Sequence, residues 1–375
     1  MQIDVKREDL ADPVAWVARS LPTRPPMQVL LGIKVKVEAG TATFSAFDYE
    51  QSATTRIQVE SGSQDGAVLV PGRLLSDIAK ALPPDMVKFA LEGNRVILTC
   101  GPARFTLPTM QVEDYPELPQ PPAPLGMVNP VSFAEAVKRV AVAASTDDTL
   151  PVLTGIRAEV DPARRKITLV ATDRYRLSMC EVEYAPGEDA LETHLLIPGK
   201  ALQEFAQSMG TDVDVVLGAE PGGGSGMFSM SNGTRTATSR LLEGDFPKYD
   251  KLLPKSFDGS AVVSTAMLTE ALKRVQLVAQ KNTPAKLSFS DGQVLLEAGA
   301  GDDAQAREVV EIAYEGEPIV ISFNISYLLD GLKAVGAAAA KISLVSSSRP
   351  ATITPSGEDD NTGMTYLIMP VRDKS

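Results

Sequence analysis

The side chains that could do metal or covalent chemistry are few and far apart. His194 is the only histidine, which nearly excludes histidine-based metal sites and Ser-His-Asp triads, because both need imidazoles at defined places. Cys100 and Cys180 are the only cysteines, and they lie in separate apolar, strand-like segments. This setting predicts that both are reduced, buried thiols and that they do not form a disulfide. No metal site, no cofactor and no catalytic residue is expected.

Two kinds of loop segment have compositions that could bind a phosphate or a cation. The glycine-rich PGGGSG (221–226) lacks the following lysine and the strand-to-helix setting of a phosphate-binding loop, so it indicates a flexible hairpin tip. Asp147, Asp148 and GEDDN (357–361) could hold a cation loosely, but such acidic clusters are typical of solvated loops. The sequence therefore predicts that the protein is not an enzyme.

Length and composition predict a folded protein of several domains. The 375 residues are too many for one ordinary core and favour two or three domains. Hydrophobic residues make up 44% and charged residues 22%, near globular averages. We expect a cytoplasmic location, because the chain has neither an apolar stretch of membrane-spanning length nor a signal-peptide pattern. The formal net charge of −12 argues by itself against a uniformly basic nucleic-acid binder.

The elements that must position any site recur in each third of the chain. Apolar residues at helical spacing predict a first helix in every third, within DLADPVAWVARSL (9–21), SFAEAVKRVAVAA (132–144) and MLTEALKRVQLVA (267–279). A second helix follows a short apolar strand each time, within VLVPGRLLSDIAKAL (68–82), LLIPGKALQEFAQSM (195–209) and IVISFNISYLLDGLKAV (319–335). Ser132, with Glu135 three residues on, is the predicted N-cap of the middle first helix.

Strands with period-2 alternation lie between and after these helices, so each third reads as an antiparallel sheet with two helices. A proline-rich connector, PELPQPPAPLGMVNP (116–130), separates the first two thirds, and KYDKLLPKSFDGS (248–260) closes the second. The prediction is an α+β fold of three repeated domains, 1–125, 126–255 and 256–375. Exposed sheet edges at the ends of such a chain of repeats favour closure by a second copy.

Four segments carry specific motifs: TLVATDRYRLSMCEVE (168–183), LLEGDFPKYDKLLPK (241–255), ISFNISYLLDGLKAV (321–335) and TYLIMPVR (365–372). In this order, their ATDxxRL, FPxY…LPK, FNxxYLLD and MPxR patterns closely resemble the bacterial β sliding clamp family, over the whole chain. The resemblance implies a head-to-tail homodimeric ring around double-stranded DNA, with helices lining the hole and sheets forming the outer wall. It also implies a non-catalytic tether for the replicative polymerase α subunit, other polymerases and repair proteins, loaded by an ATP-driven clamp loader.

A ring that slides needs positive side chains that meet phosphates diffusely, without reading bases. The candidates are cations of the helical segments together with Arg24, which matches a family position near DNA. The set is Arg24, Arg73, Lys80, Lys138, Arg139, Lys200, Lys273, Arg274, Lys281 and Lys333. Acidic residues can then dominate the outer wall, so the net charge is compatible with DNA binding. The alternative for each cation is an ordinary solvated helix face.

The resemblance also implies a hydrophobic groove between the second and third domains that accepts short linear peptides. Matched residue by residue, its lining is Leu153, Thr172, Arg174, Tyr175, Arg176, Leu177, Pro247, Lys251, Leu252, Pro350, Leu367, Ile368, Met369, Pro370, Val371 and Arg372, with Asn324 and Tyr327 nearby. Apolar side chains and a flexible methionine suit peptide anchors. For Leu153, Leu177 and Ile368 the alternative is core packing. Two departures from the family pattern concern the groove mouth: Arg174-Tyr175 stands where several relatives have a Gly-His pair, and the chain runs on past Arg372.

The subunit contact that the resemblance implies pairs the last strands of the first domain with the third domain of the partner. By match it uses Arg104, Phe105 and Leu107 against Leu277 and Val278. A phenylalanine at the centre of an interface can act as an anchor. The competing interpretation is a repeat scaffold that binds proteins only and never meets DNA, since sequence does not show whether the helix cations share one face.

Overall fold

The computed structural model describes residues 1–60, 63–220, 226–279, 284–299, 304–357 and 363–371. The strands of the first third are β1 (Gln2–Lys6), β2 (Gly32–Glu38), β3 (Thr41–Phe47), β4 (Gln51–Gln58), β5 (Gly66–Pro71), β6 (Met86–Glu92), β7 (Arg95–Cys100) and β8 (Ala103–Pro108). Those of the middle third are β9 (Pro124–Val128), β10 (Gly155–Asp161), β11 (Lys166–Thr172), β12 (Arg176–Pro186), β13 (Thr193–Pro198), β14 (Val215–Glu220), β15 (Met227–Ser231) and β16 (Arg235–Arg240). Those of the last third are β17 (Gly259–Ser264), β18 (Pro284–Ser290), β19 (Gln293–Ala298), β20 (Ala306–Glu311), β21 (Ala313–Gly316), β22 (Ile319–Asn324), β23 (Ala339–Leu344), β24 (Ala351–Pro355) and β25 (Thr365–Ile368).

The helices fall where the repeats predict them, two long ones in each third. They are α1 (Arg7–Val17), α2 (Gly72–Ala81), α3 (Pro130–Ala141), the single-turn α4 (Pro151–Thr154), α5 (Gly199–Ser208), α6 (Thr265–Gln276) and α7 (Ile325–Val335). Short 3₁₀ turns cover Ala18–Ser20, Gln28–Leu31 and Tyr249–Lys251. The α+β prediction is thereby confirmed.

Helix ends follow local side-chain chemistry in the last third and depart from the prediction in the middle third. The Ser264 hydroxyl accepts the Met267 N–H (3.4 Å) at the start of α6, and the Asn324 side chain accepts the Tyr327 N–H (3.2 Å) at the start of α7. These bonds satisfy backbone donors that a helix start leaves unpaired. The prediction for Ser132 is wrong: α3 begins at Pro130, whose fixed φ suits a first helical position, so Ser132 lies inside the first turn.

The chain divides into two compact units. The first unit comprises residues 1–130, 186–190 and 204–241, and the second comprises 131–185, 191–203 and 242–375. The predicted three-domain boundaries near 125 and 255 stay predictions. The strand pairing within each unit is described separately below.

The first unit has a four-stranded sheet in the order β1-β6-β7-β8 and a longer sheet in which β5-β2-β3-β4-β16-β15-β14-β9 pair in succession. Helix α1 packs against α2, β3 and β4. Alternation along β3 buries Phe44 against the helices and turns Thr43 and Ser45 to the other face. The Trp16 indole N–H donates to the Ser208 hydroxyl (2.9 Å), which satisfies its polar atom inside the core.

The second unit has a long sheet in which β13-β10-β11-β12-β25-β24-β23-β17-β21 pair in succession, and a four-stranded sheet in the order β20-β19-β18-β22. Helix α6 packs against α7, β19 and β20, and α7 packs against β24 and β25. Gly331 in α7 permits a close approach: a Cβ there would lie 2.6 Å from carbons of the Tyr366 ring. The C-terminal strand is therefore held tightly beneath α7.

The cysteines, the histidine and the strands beside the glycine-rich segment are parts of the folded sheets or lie against them. Cys100 and Cys180 are buried thiols, as predicted. His194 lies exposed on β13. Strands β14 and β15, which flank the glycine-rich segment, pair as a hairpin, while 221–225 and 358–361 lie outside the described residues. Within the described part of the chain, no group of three or more His, Cys, Asp or Glu side chains could hold a metal ion. Among the described helices, none is long and apolar enough to cross a membrane.

Candidate functional site

The turn between β11 and β12 is built by its own polar side chains. The Asp173 carboxylate accepts the N–H groups of Tyr175 and Arg176, both at 3.0 Å. The Thr172 hydroxyl donates to the Arg176 carbonyl (2.7 Å) and accepts the Arg174 N–H (3.2 Å). Arg174 has φ +79°, a left-handed conformation that non-glycine residues adopt only where surrounding bonds enforce it. The turn therefore presents Arg174 and Tyr175 to solvent, with Tyr175 57% exposed.

Arg176 is held by its own turn, by α7 and by β25, where its Nη1 donates to the Tyr366 hydroxyl (3.5 Å). Its Nε donates to Asp173 (2.9 Å), and Nη1 pairs with Asp330 of α7. The guanidinium lies 4.3 Å from the centroid of the Tyr327 ring, a cation–π distance. Its side chain is only 12% exposed. Burial alone would lower the pKa of Arg176, but its phenol and carboxylate partners raise it above the ordinary value, so the guanidinium stays charged.

The C-terminal strand completes the same region. Leu177 lies opposite Leu367 and Arg176 opposite Ile368 in the β12–β25 pairing. Beyond the strand, the Met369 N–H donates to the Tyr175 carbonyl (2.9 Å) and the Val371 N–H donates to the Ser322 carbonyl (2.8 Å). The motif segments 168–183, 321–335 and 365–371, which are distant in sequence, therefore meet in one place.

An apolar cluster lies beside this junction. Its buried members are Val170, Leu177, Leu196, Phe246, Tyr249 and Leu367, and its half-buried members are Val152, Met179, Leu242, Leu253 and Met369. The Phe246 and Tyr249 rings meet edge to face, 6.4 Å between centroids. The Tyr249 hydroxyl donates to Glu159 (2.9 Å), and burial, with that bond, raises the pKa of the Tyr249 phenol. The fourth motif segment, 241–255, is thus part of the same region.

The accessible edge of this cluster consists of half-buried members and exposed neighbours along the chain. We call it the apolar patch: Val152, Tyr175, Leu242, Leu252, Leu253, Met369 and Val371. The exposed cations Arg174 and Lys251 lie next to patch members in sequence. Apolar surface bordered by positive charge can bind an apolar segment that also carries an acidic group.

The predicted groove residues divide into three classes of exposure. Leu153, Thr172, Leu177, Leu367 and Ile368 are buried; Arg176, Pro247, Asn324, Tyr327, Pro350, Met369 and Pro370 are half-buried; Arg174, Tyr175, Lys251, Leu252 and Val371 are exposed. Arg372 lies outside the described residues. Leu177 and Leu367 belong to the buried cluster beside the patch, and Leu153 and Ile368 are buried as well; their part in the groove stays a prediction. Sequence matching missed Val152, Leu242 and Leu253, although Leu242 and Leu253 lie within the quoted 241–255 motif.

Most predicted DNA-facing cations are exposed on helices, but their environments differ. Arg24, Arg73, Lys80, Lys138, Lys200 and Lys333 are exposed. Arg274 forms a two-pronged pair with Glu308 of β20, and Lys273 pairs with Glu270 (2.8 Å). Arg139 is half-buried, with Glu135 at 4.0 Å. Lys281 lies outside the described residues. Arg19, exposed after α1, lies within the predicted helical segment 9–21 but is not among the predicted DNA-facing cations.

The predicted subunit-contact residues lie on the edge strand β8 of the first unit and just after α6 in the second. Strand β8 is an edge of its four-stranded sheet and exposes Arg104 and Phe105. Leu107 is 0% exposed and lies opposite Val96 in the sheet, and its part in the subunit contact stays a prediction.

Strand β20 is an edge of the other four-stranded sheet. Val309 on that strand is exposed, Leu277 after α6 is 84% exposed, and Val278 is half-buried. Both edges leave unpaired backbone groups and apolar side chains available for another strand.

Family models match the chain in three consecutive segments. Residues 1–119 match the N-terminal domain of the DNA polymerase III beta subunit, 127–248 its central domain and 250–372 its C-terminal domain. Among curated proteins, a beta sliding clamp of Streptomyces coelicolor is 46% identical over 99% of both chains. The beta sliding clamp homolog GriR of Streptomyces muensis is 41% identical, again over 99% of both.

Solved structures agree with the family match over the full length. A Pseudomonas aeruginosa DNA polymerase III subunit beta bound to griselimycin superimposes with a TM-score of 0.91 at 28% identity, covering 99% of each chain. A DNA polymerase sliding clamp from Bacillus subtilis gives a TM-score of 0.90 at 25% identity, with the same coverage.

Proposed function

This chain belongs to the DNA polymerase III beta subunit family, and we propose that its apolar patch is the place where it holds the proteins that it tethers to DNA. The chain is a DNA sliding clamp, a non-catalytic processivity factor that partners DNA and the polymerase as a ring. The clamp acts by remaining around DNA, so its functional sites are binding surfaces and not catalytic centres.

The observation that carries the proposal is the convergence of the motif segments on one apolar cluster. Residues 168–183, 241–255 and 365–371 are far apart in sequence, and each contributes a side chain to the cluster or its border. Tyr175, Leu252 and Val371 are exposed, and Met369 is half-buried. Exposed apolar side chains gathered in one patch are typical of a surface that binds an apolar partner. The griselimycin-bound Pseudomonas clamp supports the presence of a ligand site on this fold.

The occupant that fits is a short linear peptide with apolar anchors and an acidic residue. Met369 can adapt to differently shaped anchors because its thioether chain is flexible. Arg174 and Lys251 supply positive charge at the border, whereas Arg176 is already committed to Asp173 and Asp330. Polymerase α subunits, other polymerases, repair proteins and the ATP-driven clamp loader would use such peptides in turn.

The remaining parts of the proposal concern the ring. Three domains, 1–125, 126–255 and 256–375, would form each subunit, and two subunits would close through the edges β8 and β20. The exposed helix cations and Arg24 would meet DNA phosphates diffusely, and the protein would act in the cytoplasm. Arg274 and Lys273 would contribute less, because carboxylates already neutralise them.

A peptide titration tests the patch directly. A fluorescent peptide from the C-terminal tail of a polymerase α subunit is titrated against the wild-type protein and the double variant Leu252→Ser, Met369→Ser. We expect the variant to bind at least about tenfold more weakly, because each lost apolar contact removes roughly 1–2 kcal/mol.

The matched control is Leu191→Ser, which removes a leucine that is 76% exposed in the same unit and outside the cluster. It should leave the affinity unchanged. Equal affinities for wild type and the double variant, with both folded by circular dichroism, would show that the peptide binds elsewhere.

A further inference from the structure

An open cavity of about 330 Å³ lies on the polar face of the longer sheet of the first unit. Strands β2, β3, β4 and β16 line it, and residues 118–121 form one wall. Three cations, Lys34, Lys36 and Arg56, and six Ser or Thr hydroxyls contribute to the lining, which includes no carboxylate. In a chain with 48 acidic and 36 basic residues, a lining with three cations, of which only Lys36 pairs with a described carboxylate, is a local reversal of charge.

The strand register fixes how these groups are arranged. Lys36 lies opposite Thr43, and Thr43 lies opposite Arg56. Adjacent strands are about 4.8 Å apart, so Lys36 and Arg56 originate roughly 10 Å from each other with a hydroxyl between them. Lys34 lies on the same face of β2 as Lys36, opposite Ser45. Long basic side chains from these three positions can meet over one small anion.

Two of the three cations have no competing anion. Lys34, half-buried, and Arg56, exposed, make no salt bridge with any carboxylate in the described residues. Lys36 pairs with Glu38 at 2.5 Å. Like charges gathered on one sheet face repel one another, and a bound anion would relieve that repulsion while accepting charge-assisted hydrogen bonds.

The wall of the cavity comes from the proline-rich connector. Leu118 packs against the buried cluster of Leu30, Phe47, Leu69 and Tyr115, which anchors the segment at that point. Pro119 and Pro121 restrict the backbone of the residues that follow. The wall is therefore positioned before any ligand arrives, which lowers the entropy lost on binding.

We propose that this cavity is a binding site for a small phosphate anion of pyrophosphate or nucleoside monophosphate size. Its volume is at the lower end of the roughly 300–1,000 Å³ typical of small-molecule sites. Several cations favour a multiply charged anion over a single carboxylate, and hydroxyls supply the additional donors that phosphate oxygens accept. The proposal is independent of the apolar patch, which lies in the second unit.

Isothermal titration of the full-length protein with inorganic pyrophosphate, and separately with a deoxynucleoside monophosphate, tests the site. We expect at least one of the two anions to bind saturably, at one site per chain. Binding of pyrophosphate would identify free inorganic phosphates as the ligand class, and binding of the monophosphate would identify phosphate esters. Lys34→Gln with Arg56→Gln should weaken binding about tenfold or more, because two charged hydrogen-bonding partners are lost.

Two further variants keep the result interpretable. Arg56→Gln alone changes an exposed side chain and so preserves folding, yet it should still weaken binding severalfold. Lys88→Gln removes an exposed lysine on β6, in the other sheet of the same unit, and should have no effect. The proposal is overturned by an absence of saturable binding for both probes, by unchanged affinity in the Arg56 and double variants, or by equal weakening in Lys88→Gln.

Discussion

At the scale of single residues, Arg176 shows how a motif residue can serve the fold beneath a functional surface. Sequence matching placed it in the peptide groove, but in the structure its guanidinium is committed to Asp173, Asp330 and the Tyr327 ring. These partners connect the 172–177 turn to α7, and the Met369 N–H bonds to that same turn. Arg176 therefore holds the turn against α7, and its part in the peptide groove stays a prediction.

Replacing Arg176 with methionine should destabilise the protein. Removing one partner of a buried ion pair leaves the other charge uncompensated. Because Asp330 retains solvent access, we expect a loss of roughly 3 kcal/mol in the free energy of unfolding. For a unit of this size we expect the melting temperature to fall by roughly 6 °C or more. Thermal unfolding followed by circular dichroism measures it.

Arg164→Met is the matched control, because Arg164 also pairs with a carboxylate, Glu181, but is 58% exposed. Exposed pairs contribute about 0–1 kcal/mol, so this variant should melt within a few degrees of wild type. Similar melting temperatures for the two variants would mean that the Arg176 network does not support the fold.

The sequence identified which segments form the patch but not which of their side chains reach its surface. A strand of period two would bury alternate residues, yet Tyr366, Leu367 and Ile368 are all buried. Strand β25 lies between β12 and β24 and is covered by α7, and these neighbours belong to distant parts of the chain. Likewise, nothing near Arg274 in sequence indicates that Glu308 pairs with it.

At the scale of elements, local patterns predicted much more. The six long helices fall within or beside their predicted segments because apolar residues recur at helical spacing; in α2, Leu75, Ile78 and Ala79 are buried while Arg73 and Lys80 are exposed. The short strand before each second helix was also predicted. The order of strands within each sheet was not, since it depends on contacts between residues far apart in the chain.

The edge strands β8 and β20 give a prediction at the scale of elements. Phe105→Ala removes the large apolar side chain that β8 exposes, and we expect it to weaken the dimer by roughly 2 kcal/mol, about thirtyfold in dissociation constant. Sedimentation velocity over a dilution series measures the change.

Met86→Ala is its control, since Met86 is an exposed apolar residue of β6 in the same sheet as β8 but not on the edge strand. It should leave the dimer intact. If Phe105→Ala sediments like wild type at every concentration, β8 is not the subunit contact.

At the scale of the whole molecule, the net charge of −12 and DNA binding are compatible because charge is distributed unevenly. Exposed cations occur on the helices of all three repeats, while carboxylates neutralise some of them, as at Arg274. A ring held by topology needs only weak, diffuse attraction to phosphates. Tight binding by any single cation would instead slow sliding.

The most direct test of the sliding-clamp mechanism compares closed circular with linear DNA. An ATP-driven loading complex places the protein on nicked circular plasmid, free protein is removed by gel filtration, and half of the sample is then linearised with a restriction enzyme. We expect the protein to remain with the circles and to be lost from the linear DNA, at a salt concentration where diffuse binding alone is negligible. Equal retention on both, or equal loss from both, would contradict a topological link between this protein and DNA.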